Sequence, residues 1–375
     1  MTSIHSPRSG SIGPYRILGV ISVGGMGEIY RAVDSRRESE VALKMLPLLN
    51  ERNAQLERQF LRETRIHQDL SHPNLVKVLD AGMEDGEPYI ALELNDGEDL
   101  SGYLKTGSRL PFDFVFPVME GLTAALSYLH EKEIVHRDIK PGNILISRDG
   151  RVKLTDLGLA YLVSDDNSFS NLKISKHALR GTGPYLPPEM FGDTAIGPGS
   201  DIYSLGVTMY QMVCGQLPYT ASSPAGWLSV IESEVPPGPR TWAPDLPLHV
   251  DGFLRQMLEK EPTARPTAAH LHQQISEIVS RLEITHKALC LSAEEMNRAL
   301  SEDTYLDAAS RENMERKGIM STRLSLDTQA TTRIARDGPE AYSLERSSRM
   351  PDGYRVIVGS LVFLVLIIAT WFFFG

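Results

Sequence analysis

The sequence predicts an α+β protein in which a small, sheet-rich lobe at residues 15–94 precedes a larger helical lobe at residues 95–279. Three observations predict this order. Short runs rich in β-branched and aromatic residues fill the first part of the chain. From Leu100 onward the apolar residues follow helical spacing, most clearly in Phe116–Leu129. The 375 residues, 42% of them hydrophobic, also suffice to bury one large core.

The elements of the first lobe follow from local patterns. Residues 1–14 are rich in Ser, Gly and Pro, and we expect them to be disordered. Strands are then predicted at 15–18, 28–33, 40–46, 75–79 and 89–94. Residues 50–70 place their apolar side chains at the spacing of one helix face, so a helix is expected there.

The C-terminal part predicts a membrane anchor. Residues 280–354 begin as charged, helix-favouring sequence and become rich in Ser, Thr, Arg and Asp, which is typical of a flexible tether. Residues 355–375 carry no charge after Arg355, and a helix rising about 1.5 Å per residue would span the roughly 30 Å hydrocarbon core once. Arginines precede this run and nothing basic follows it, so the positive-inside rule predicts a single-pass cell-membrane protein with its N-terminal bulk in the cytoplasm. A buried core helix is the alternative interpretation.

Charge and cysteine content exclude some classes of protein. The net charge of −10 argues against a phosphate backbone as ligand, so no nucleic-acid partner is expected. Cys214 and Cys290 fit no metal spacing and are too few for a disulfide framework, which predicts two free thiols in a reducing compartment. The first residues lack the apolar run of a signal peptide.

A glycine-rich turn is the first motif with a chemical implication. Its residues are Ile21, Ser22, Val23, Gly24, Gly25, Met26, Gly27, Glu28 and Ile29. Glycine lets backbone N–H groups approach the phosphates of a nucleotide where a Cβ would clash. Such turns are common in ordinary hairpins, so the turn alone is weak evidence for a nucleotide site. Lys44 strengthens it, because this lysine ends a Val-Ala-Leu-Lys strand where it can pair with phosphates.

Two further motifs hold polar residues suited to phosphoryl transfer. Asp138, Lys140 and Asn143 lie within the short segment His136–Leu145. Phosphoryl transfer needs a carboxylate to orient the attacking hydroxyl, a cation near the moving group and an oxygen ligand for Mg²⁺. Asp156, after a strand-like run, offers a second oxygen ligand.

In this order the motifs resemble the eukaryotic-type (Hanks-type) protein kinase family, most closely its bacterial serine/threonine members. The resemblance covers Tyr15 to Val279. Later family motifs match at Arg62-Glu63, Pro187-Pro188-Glu189, Ser200–Gly206 and Arg265. It implies the bilobal kinase fold, and an enzyme that transfers the γ-phosphoryl group of ATP to Ser or Thr hydroxyls of protein substrates and of itself.

The resemblance also implies roles for single residues. Asp138 would be the catalytic base, Lys140 would neutralise charge on the transferred group, and Asn143 with Asp156 would hold Mg²⁺ or Mn²⁺. Lys44 would hold the ATP phosphates and pair with Glu63. The adenine pocket would be formed by Ile21, Ile29, Ala42, Leu92, Leu145 and the hinge residues Glu93 and Leu94. Glu189 and Arg265 would form a buried structural ion pair.

Substrate class and regulation follow from the same resemblance. Lys140 and Thr182 favour serine or threonine over tyrosine as acceptor. Arg137 implies control by phosphorylation of the loop between Asp156 and Gly181, for which the candidate sites are Ser168, Ser170 and, first, Ser175. In the tether, Thr331 has an apolar residue three positions later, which suits a phosphothreonine-binding forkhead-associated partner. Autophosphorylation in trans would need a homodimer.

Three departures from the family pattern leave an alternative open. Ser22 replaces the usual first glycine, Leu157 replaces a Phe, and Pro187 replaces an Ala. The alternative is a pseudokinase, a nucleotide-binding scaffold at the membrane without transfer. Lys44, Asp138 and Asp156 are all present, which favours the active enzyme.

Overall fold

The structure is a computed structural model that describes residues 10–24, 27–46, 64–84, 86–157, 183–191, 195–221, 223–282 and 289–301. Several predictions concern residues outside these ranges and are not addressed by it. They are the predictions for Gly25, Met26, Glu63, Ser168, Ser170, Ser175, Thr182, Thr331 and the apolar run at 355–375.

An antiparallel sheet forms the first lobe. Its strands are β1 (Ser11–Ile12), β2 (Tyr15–Gly24), β3 (Gly27–Asp34), β4 (Ser39–Met45), β5 (Val78–Glu84) and β6 (Glu87–Glu93), in the order β1-β2-β3-β4-β6-β5. A strand was predicted at 75–79, but the observed strand β5 begins at Val78 and continues to Glu84. It extends this far because its residues pair with β6 up to Glu84. Of the predicted helix, residues 64–70 are described, and residues 64–68 of these are helical.

Disorder was wrongly predicted for the last residues of the 1–14 segment. Ser11 and Ile12 pair with the start of β2, and Ile12 is 4% exposed. The reason is local. Ile12 packs into the core of the sheet, and burying such a side chain stabilises the fold by about 1.5–3 kcal/mol.

Alternation along β4 sorts its side chains onto two faces. Val41, Leu43 and Met45 join the core on one side of the sheet. Because side chains of a strand alternate, Ala42 and Lys44 face the opposite side, where Ala42 packs against the cluster containing Leu92 and Ile90. The sheet therefore directs Lys44 away from its main core.

The second lobe is helical around one large core. Its helices among the described residues are α1 (Leu100–Tyr103), α2 (Phe112–Glu131), α3 (Pro198–Cys214), α4 (Pro224–Ser233), α5 (Leu248–Met257), α6 (Ala268–Leu282) and α7 (Ala293–Ser301). In the described part of the chain, α2 has the length and apolar composition to cross a membrane, but 72% of its apolar window is buried inside the protein. It is a core helix, and it contains the stretch Phe116–Leu129 for which a helix was predicted.

A small second sheet carries the loop with the polar motifs. Its strands β7 (Glu98–Asp99), β8 (Ile144–Ile146) and β9 (Val152–Leu154) are antiparallel in that order. The turn Pro141–Asn143 leads directly into β8. The sheet-rich lobe followed by a helical lobe confirms the predicted α+β class.

A buried ion pair fastens the segment Pro188–Phe191 to the helical lobe. The Nη1 atom of Arg265 lies 2.7 Å from Oε1 of Glu189, with Nη2 at 2.9 Å from Oε2, and the two side chains are 0% and 1% exposed. The guanidinium also donates to the carbonyl oxygens of Gly199, Glu259 and Lys260. Each buried charge is thus paired and hydrogen-bonded, which is the condition under which such a pair is tolerated.

Replacing Arg265 by methionine should therefore destabilise the protein strongly. The change leaves the Glu189 carboxylate buried without its partner, and we expect a loss of about 3–5 kcal/mol in the free energy of unfolding, measured by urea denaturation. Arg281→Met is the matched control, because Arg281 pairs with Glu277 on an exposed surface and should cost no more than about 0.5 kcal/mol. Equal unfolding midpoints for the two variants would contradict the structural role of Arg265.

Candidate active site

The loop between α2 and β8 is held by one buried carboxylate. Asp201, in the first turn of α3 and 1% exposed, accepts the backbone N–H groups of His136 and Arg137 at 2.8 Å each. Nε2 of His130 lies 2.9 Å from the same carboxylate. Charge-assisted bonds of this kind are about twice as strong as neutral ones, so the start of the loop is firmly positioned on α3.

His136 links this loop to the strand that precedes Asp156. It is fully buried, and burial lowers the pKa of its imidazole, so the ring is neutral. Nε2 lies 3.0 Å from the carbonyl oxygen of Thr155, and the N–H of Asp138 donates to Nδ1 at 3.4 Å. This pattern assigns the proton to Nε2, and it fixes Asp138 and Thr155 relative to each other.

Asp138, Lys140 and Asn143 form one cluster. Nζ of Lys140 lies 2.8 Å and 3.0 Å from the two carboxylate oxygens of Asp138. Nδ2 of Asn143 donates to Oδ2 of Asp138 at 2.8 Å and to its backbone oxygen at 2.7 Å. Asp138 and Asn143 are 5% and 4% exposed. The structure thus brings these three predicted residues together.

The register of β8 and β9 places Asn143 beside Asp156. Ile144 pairs with Leu154, and the N–H of Thr155 donates to the carbonyl oxygen of Asn143 at 2.9 Å. Asp156 follows Thr155 directly. Because Nδ2 of Asn143 faces Asp138, its amide oxygen is the atom left to bind a cation. With the Asp156 carboxylate it makes a pair of hard oxygen donors, which fits Mg²⁺.

An ion pair across the two lobes completes the site. Nζ of Lys44 lies 2.7 Å from Oδ1 of Asp156, and Lys44 is 3% exposed. The predicted partner Glu63 is outside the described residues. Asp156 and Arg137 have φ angles of 64° and 69°, in the left-handed region that is costly for residues other than glycine. Such strain is concentrated at functional sites, where surrounding contacts maintain it.

A cavity of about 320 Å³ opens between the lobes beside this ion pair. Its predicted lining residues are Ile21, Ile29, Ala42, Leu92, Glu93, Leu94 and Leu145. Its rim also includes polar residues that the sequence reasoning missed, among them Asn95, Glu98 and Ser101. They belong to a segment without a motif, and only the turn from β6 into α1 brings them to the cavity.

The described ends of β2 and β3, on either side of the glycine-rich turn, are paired with each other. Ser22 pairs with Ile29, Val23 with Glu28 and Gly24 with Gly27. Gly27 has a φ of 118°, and a Cβ there would lie 1.9 Å from the carbonyl oxygen of Met45. Gly27 is therefore required by the close approach of β4. Val23 is 70% exposed, so the end of the turn lies open to a ligand.

The hinge residue Glu93 has a partner that the sequence analysis did not identify. Its carboxylate lies 2.9 Å from Nζ of Lys153, a buried lysine in the middle of β9. The N–H of Glu93 also donates to the carbonyl oxygen of Lys77 at 2.9 Å. A lysine within an apolar strand was the available signal, since a buried ammonium needs a partner.

Comparison with known proteins identifies the family. The family model described as protein kinase domain matches residues 15–275. The chain belongs to the protein kinase family. The predicted bilobal kinase fold, with a β-rich first lobe and a helical second lobe, is thereby confirmed, and the crystal structure of the PknI kinase domain of Mycobacterium tuberculosis agrees with it. That structure is 24% identical, has a TM-score of 0.56, and covers 72% of this chain and 99% of its own.

Two curated relatives of the kinase domain are bacterial. Serine/threonine-protein kinase PrkC of Bacillus subtilis is 32% identical over 77% of this chain, and serine/threonine-protein kinase PknA of Mycobacterium tuberculosis is 35% identical over 69%. The matched region covers 44% of PrkC and 60% of PknA. The kinase chain thus spans about half of the length of these relatives.

Proposed function

We propose that this chain is an ATP- and Mg²⁺-dependent protein kinase that phosphorylates serine and threonine residues of proteins, itself included. The observation that carries the proposal is the cluster of Asp138, Lys140 and Asn143, which the hydrogen bond from Thr155 to Asn143 links to the Lys44–Asp156 ion pair. This combination provides a carboxylate, two ammonium groups and two oxygen ligands within one site. Phosphoryl transfer needs these groups.

The cavity would hold ATP with its adenine between the apolar residues of the two lobes. Lys44 would then bind the phosphates, since it lies on the face of β4 opposite the main sheet core and already pairs with Asp156. A divalent cation held by Asn143 and Asp156, Mg²⁺ or Mn²⁺, would supply charge neutralisation at the phosphates. Asp138 would orient the attacking hydroxyl and accept its proton, and Lys140 would balance the negative charge on the moving group.

Serine and threonine are the proposed acceptors for two reasons. Lys140 lies 2.8 Å from Asp138, beside the point where an attacking hydroxyl would bind. This lysine and Thr182 match the family pattern that goes with serine and threonine substrates. The relatives are named as serine/threonine-protein kinases, which supports the same substrate class here.

Asp138→Asn should remove phosphoryl transfer while the fold is retained. Asparagine has the same shape but cannot accept the proton of the hydroxyl, so we expect the rate of ³²P incorporation from labelled ATP with Mg²⁺ to fall about 10²–10⁴-fold. In the wild-type chain, mass spectrometry should find phosphate on Ser or Thr, with Ser175, Ser170, Ser168 and Thr331 as the proposed sites.

Asp149→Asn is the matched control for this experiment. Asp149 pairs with Arg151 on an exposed turn, so the same chemical change should leave incorporation unaltered. Equal incorporation by wild type and Asp138→Asn would contradict the proposed role of Asp138. A wild-type chain that binds ATP but labels no protein would favour the scaffold alternative.

We further propose that residues 355–375 anchor the kinase in the cell membrane with its catalytic domain in the cytoplasm. The support is the uncharged run after Arg355 and the arginines before it. Phosphorylated Thr331, in the tether, would bind a forkhead-associated partner. A homodimer on the membrane would favour phosphorylation in trans, because confinement raises effective concentration.

Deleting residues 356–375 should release the kinase from membranes. The deletion removes the apolar run and leaves the polar segment before it, so we expect the variant in the supernatant after lipid vesicles are sedimented, and the full chain in the pellet. As a control, Leu364→Ile keeps the run apolar and should leave the protein in the pellet. Sedimentation of the deletion variant with vesicles would contradict the anchor.

A further inference from the structure

Helix α7 lies beyond the matched kinase domain, yet it is packed into the helical lobe. The family match ends at residue 275, and α7 spans Ala293–Ser301. Leu289, Ala293 and Met296 are 1%, 4% and 0% exposed and belong to the main core. A segment that follows the catalytic domain thus contributes to its interior.

The start of α7 is defined by its own sequence. The N–H of Ser292 donates to the Glu295 carboxylate at 2.8 Å, and the N–H of Glu295 donates to Oγ of Ser292 at 3.2 Å. This reciprocal capping box satisfies two backbone donors and fixes where the helix begins. The buried face of α7 then has a defined orientation.

The docking partner of α7 is α1, which forms part of the cavity wall. Oη of Tyr103 donates to the carbonyl oxygen of Leu291 at 2.9 Å, and Nδ2 of Asn297 donates to the carbonyl oxygen of Gly102 at 3.1 Å. An added Cβ at Gly102 would lie 3.2 Å from Cβ of Ala293, so glycine permits this close approach. Ser101 and Gly102 of α1 line the cavity.

Glu98 connects the cavity directly to helix α7. Its side chain lines the rim of the cavity, and its Oε1 accepts the N–H of Ala293, in the first turn of α7, at 3.2 Å. The positive end of the α7 dipole favours the carboxylate at this position. The orientation of a polar rim residue therefore depends on whether α7 is docked.

Helix α1 needs this support because it is short. It has four residues, and a single helical turn is not stable without tertiary contacts. Asp99 caps its start by accepting the N–H groups of Ser101 and Gly102. At its other end, the carbonyl oxygen of Gly102 accepts from Asn297 of α7, and Tyr103 donates to the carbonyl oxygen of Leu291, two residues before α7.

We propose that α7 is a positioning element of the nucleotide pocket: docked on α1 and Glu98, it holds the rim in the form that binds ATP. The inference rests on the proposed function, since it concerns the affinity for the nucleotide. The hydrogen bonds that hold the loop of Asp138, Lys140 and Asn143 come from Asp201 of α3 and from Thr155 after β9 instead. Loss of docking therefore raises the KM for ATP and leaves kcat nearly unchanged.

Linkage makes the effect reciprocal. If docked α7 favours nucleotide binding, bound nucleotide stabilises docked α7 by the same factor. Typical coupling between linked sites is about 5–150-fold, and we expect the lower part of this range because α7 contacts only one edge of the cavity.

Hydrogen exchange of the full-length chain in detergent tests the reciprocal effect. With Mg²⁺ and the non-hydrolysable analogue AMP-PNP, amides of residues 293–301 should exchange about five-fold more slowly or better, together with those around Lys44. Protection around Lys44 with unchanged exchange in α7 would overturn this inference and leave the proposed function intact. No nucleotide-dependent protection anywhere would overturn the proposed function as well.

Met296→Lys tests the direct effect, because it places a charge in the buried face of α7. The variant should show fast exchange in residues 293–301, a KM for ATP raised about five-fold or more, and a kcat within about two-fold of wild type. Met296→Leu keeps the apolar contact, and this variant should have the same KM for ATP as the wild type. Arg298→Lys puts the same lysine on the exposed face, where it can still pair with Glu294, and should have no effect.

Two results would contradict the proposal. One is a wild-type KM in a Met296→Lys chain whose α7 exchanges freely, and the other is a lowered kcat with unchanged KM. If Met296→Lys leaves α7 protected, the double variant Ala293→Glu, Met296→Lys is measured, because both side chains lie in the interface. Continued protection there would show that α7 does not dock through this face.

Discussion

The candidate active site depends on the buried carboxylate of Asp201. Removing an ionised carboxylate from water is costly, and the structure offsets this cost with donors from His136, Arg137 and His130. These donors lie at the end of α2 and in the loop that follows it, so one side chain on α3 sets the path of the loop. Asp138 then lies at a defined place beside Asn143 and Lys140.

Ion pairs also connect the other parts of the site around the cavity. Lys44 and Asp156 come from different lobes, and their ion pair joins the sheet to the loop that follows β9. Lys153 and Glu93 make a comparable link at the hinge. Because Lys44, Asp156 and Lys153 are largely buried, the relative positions of cavity and polar cluster are specified by polar contacts as well as by apolar packing.

The sequence predicted the parts of the site that are local. Asp138, Lys140 and Asn143 lie within six residues of one another, so their shared loop was readable without a fold. Lys44 and Asp156 are 112 positions apart, and their proximity needed the family resemblance. The predicted pair of Glu189 and Arg265 is likewise distant in sequence, and the structure brings both together.

What the sequence did not predict depends on long-range packing. The partner of Glu93 and the cavity-facing position of Glu98 follow from how β6, β7 and β9 are arranged in space. The capping box of Ser292 and Glu295 is a local contact, but the docking of α7 needs the close approach at Gly102, which no local pattern encodes. β1 was missed because two residues of strand are too short for a periodic pattern.

The central claim is that Asp201 positions the catalytic loop for transfer, and the kcat of Asp201→Asn tests it most directly. Asparagine keeps the size but replaces one acceptor by a donor that opposes a backbone N–H. A hydrogen bond to a charged group is worth about 1.5–3 kcal/mol, so kcat at saturating ATP should fall about 10–100-fold with the helical fold intact. A wild-type kcat in the folded Asp201→Asn protein would contradict the account.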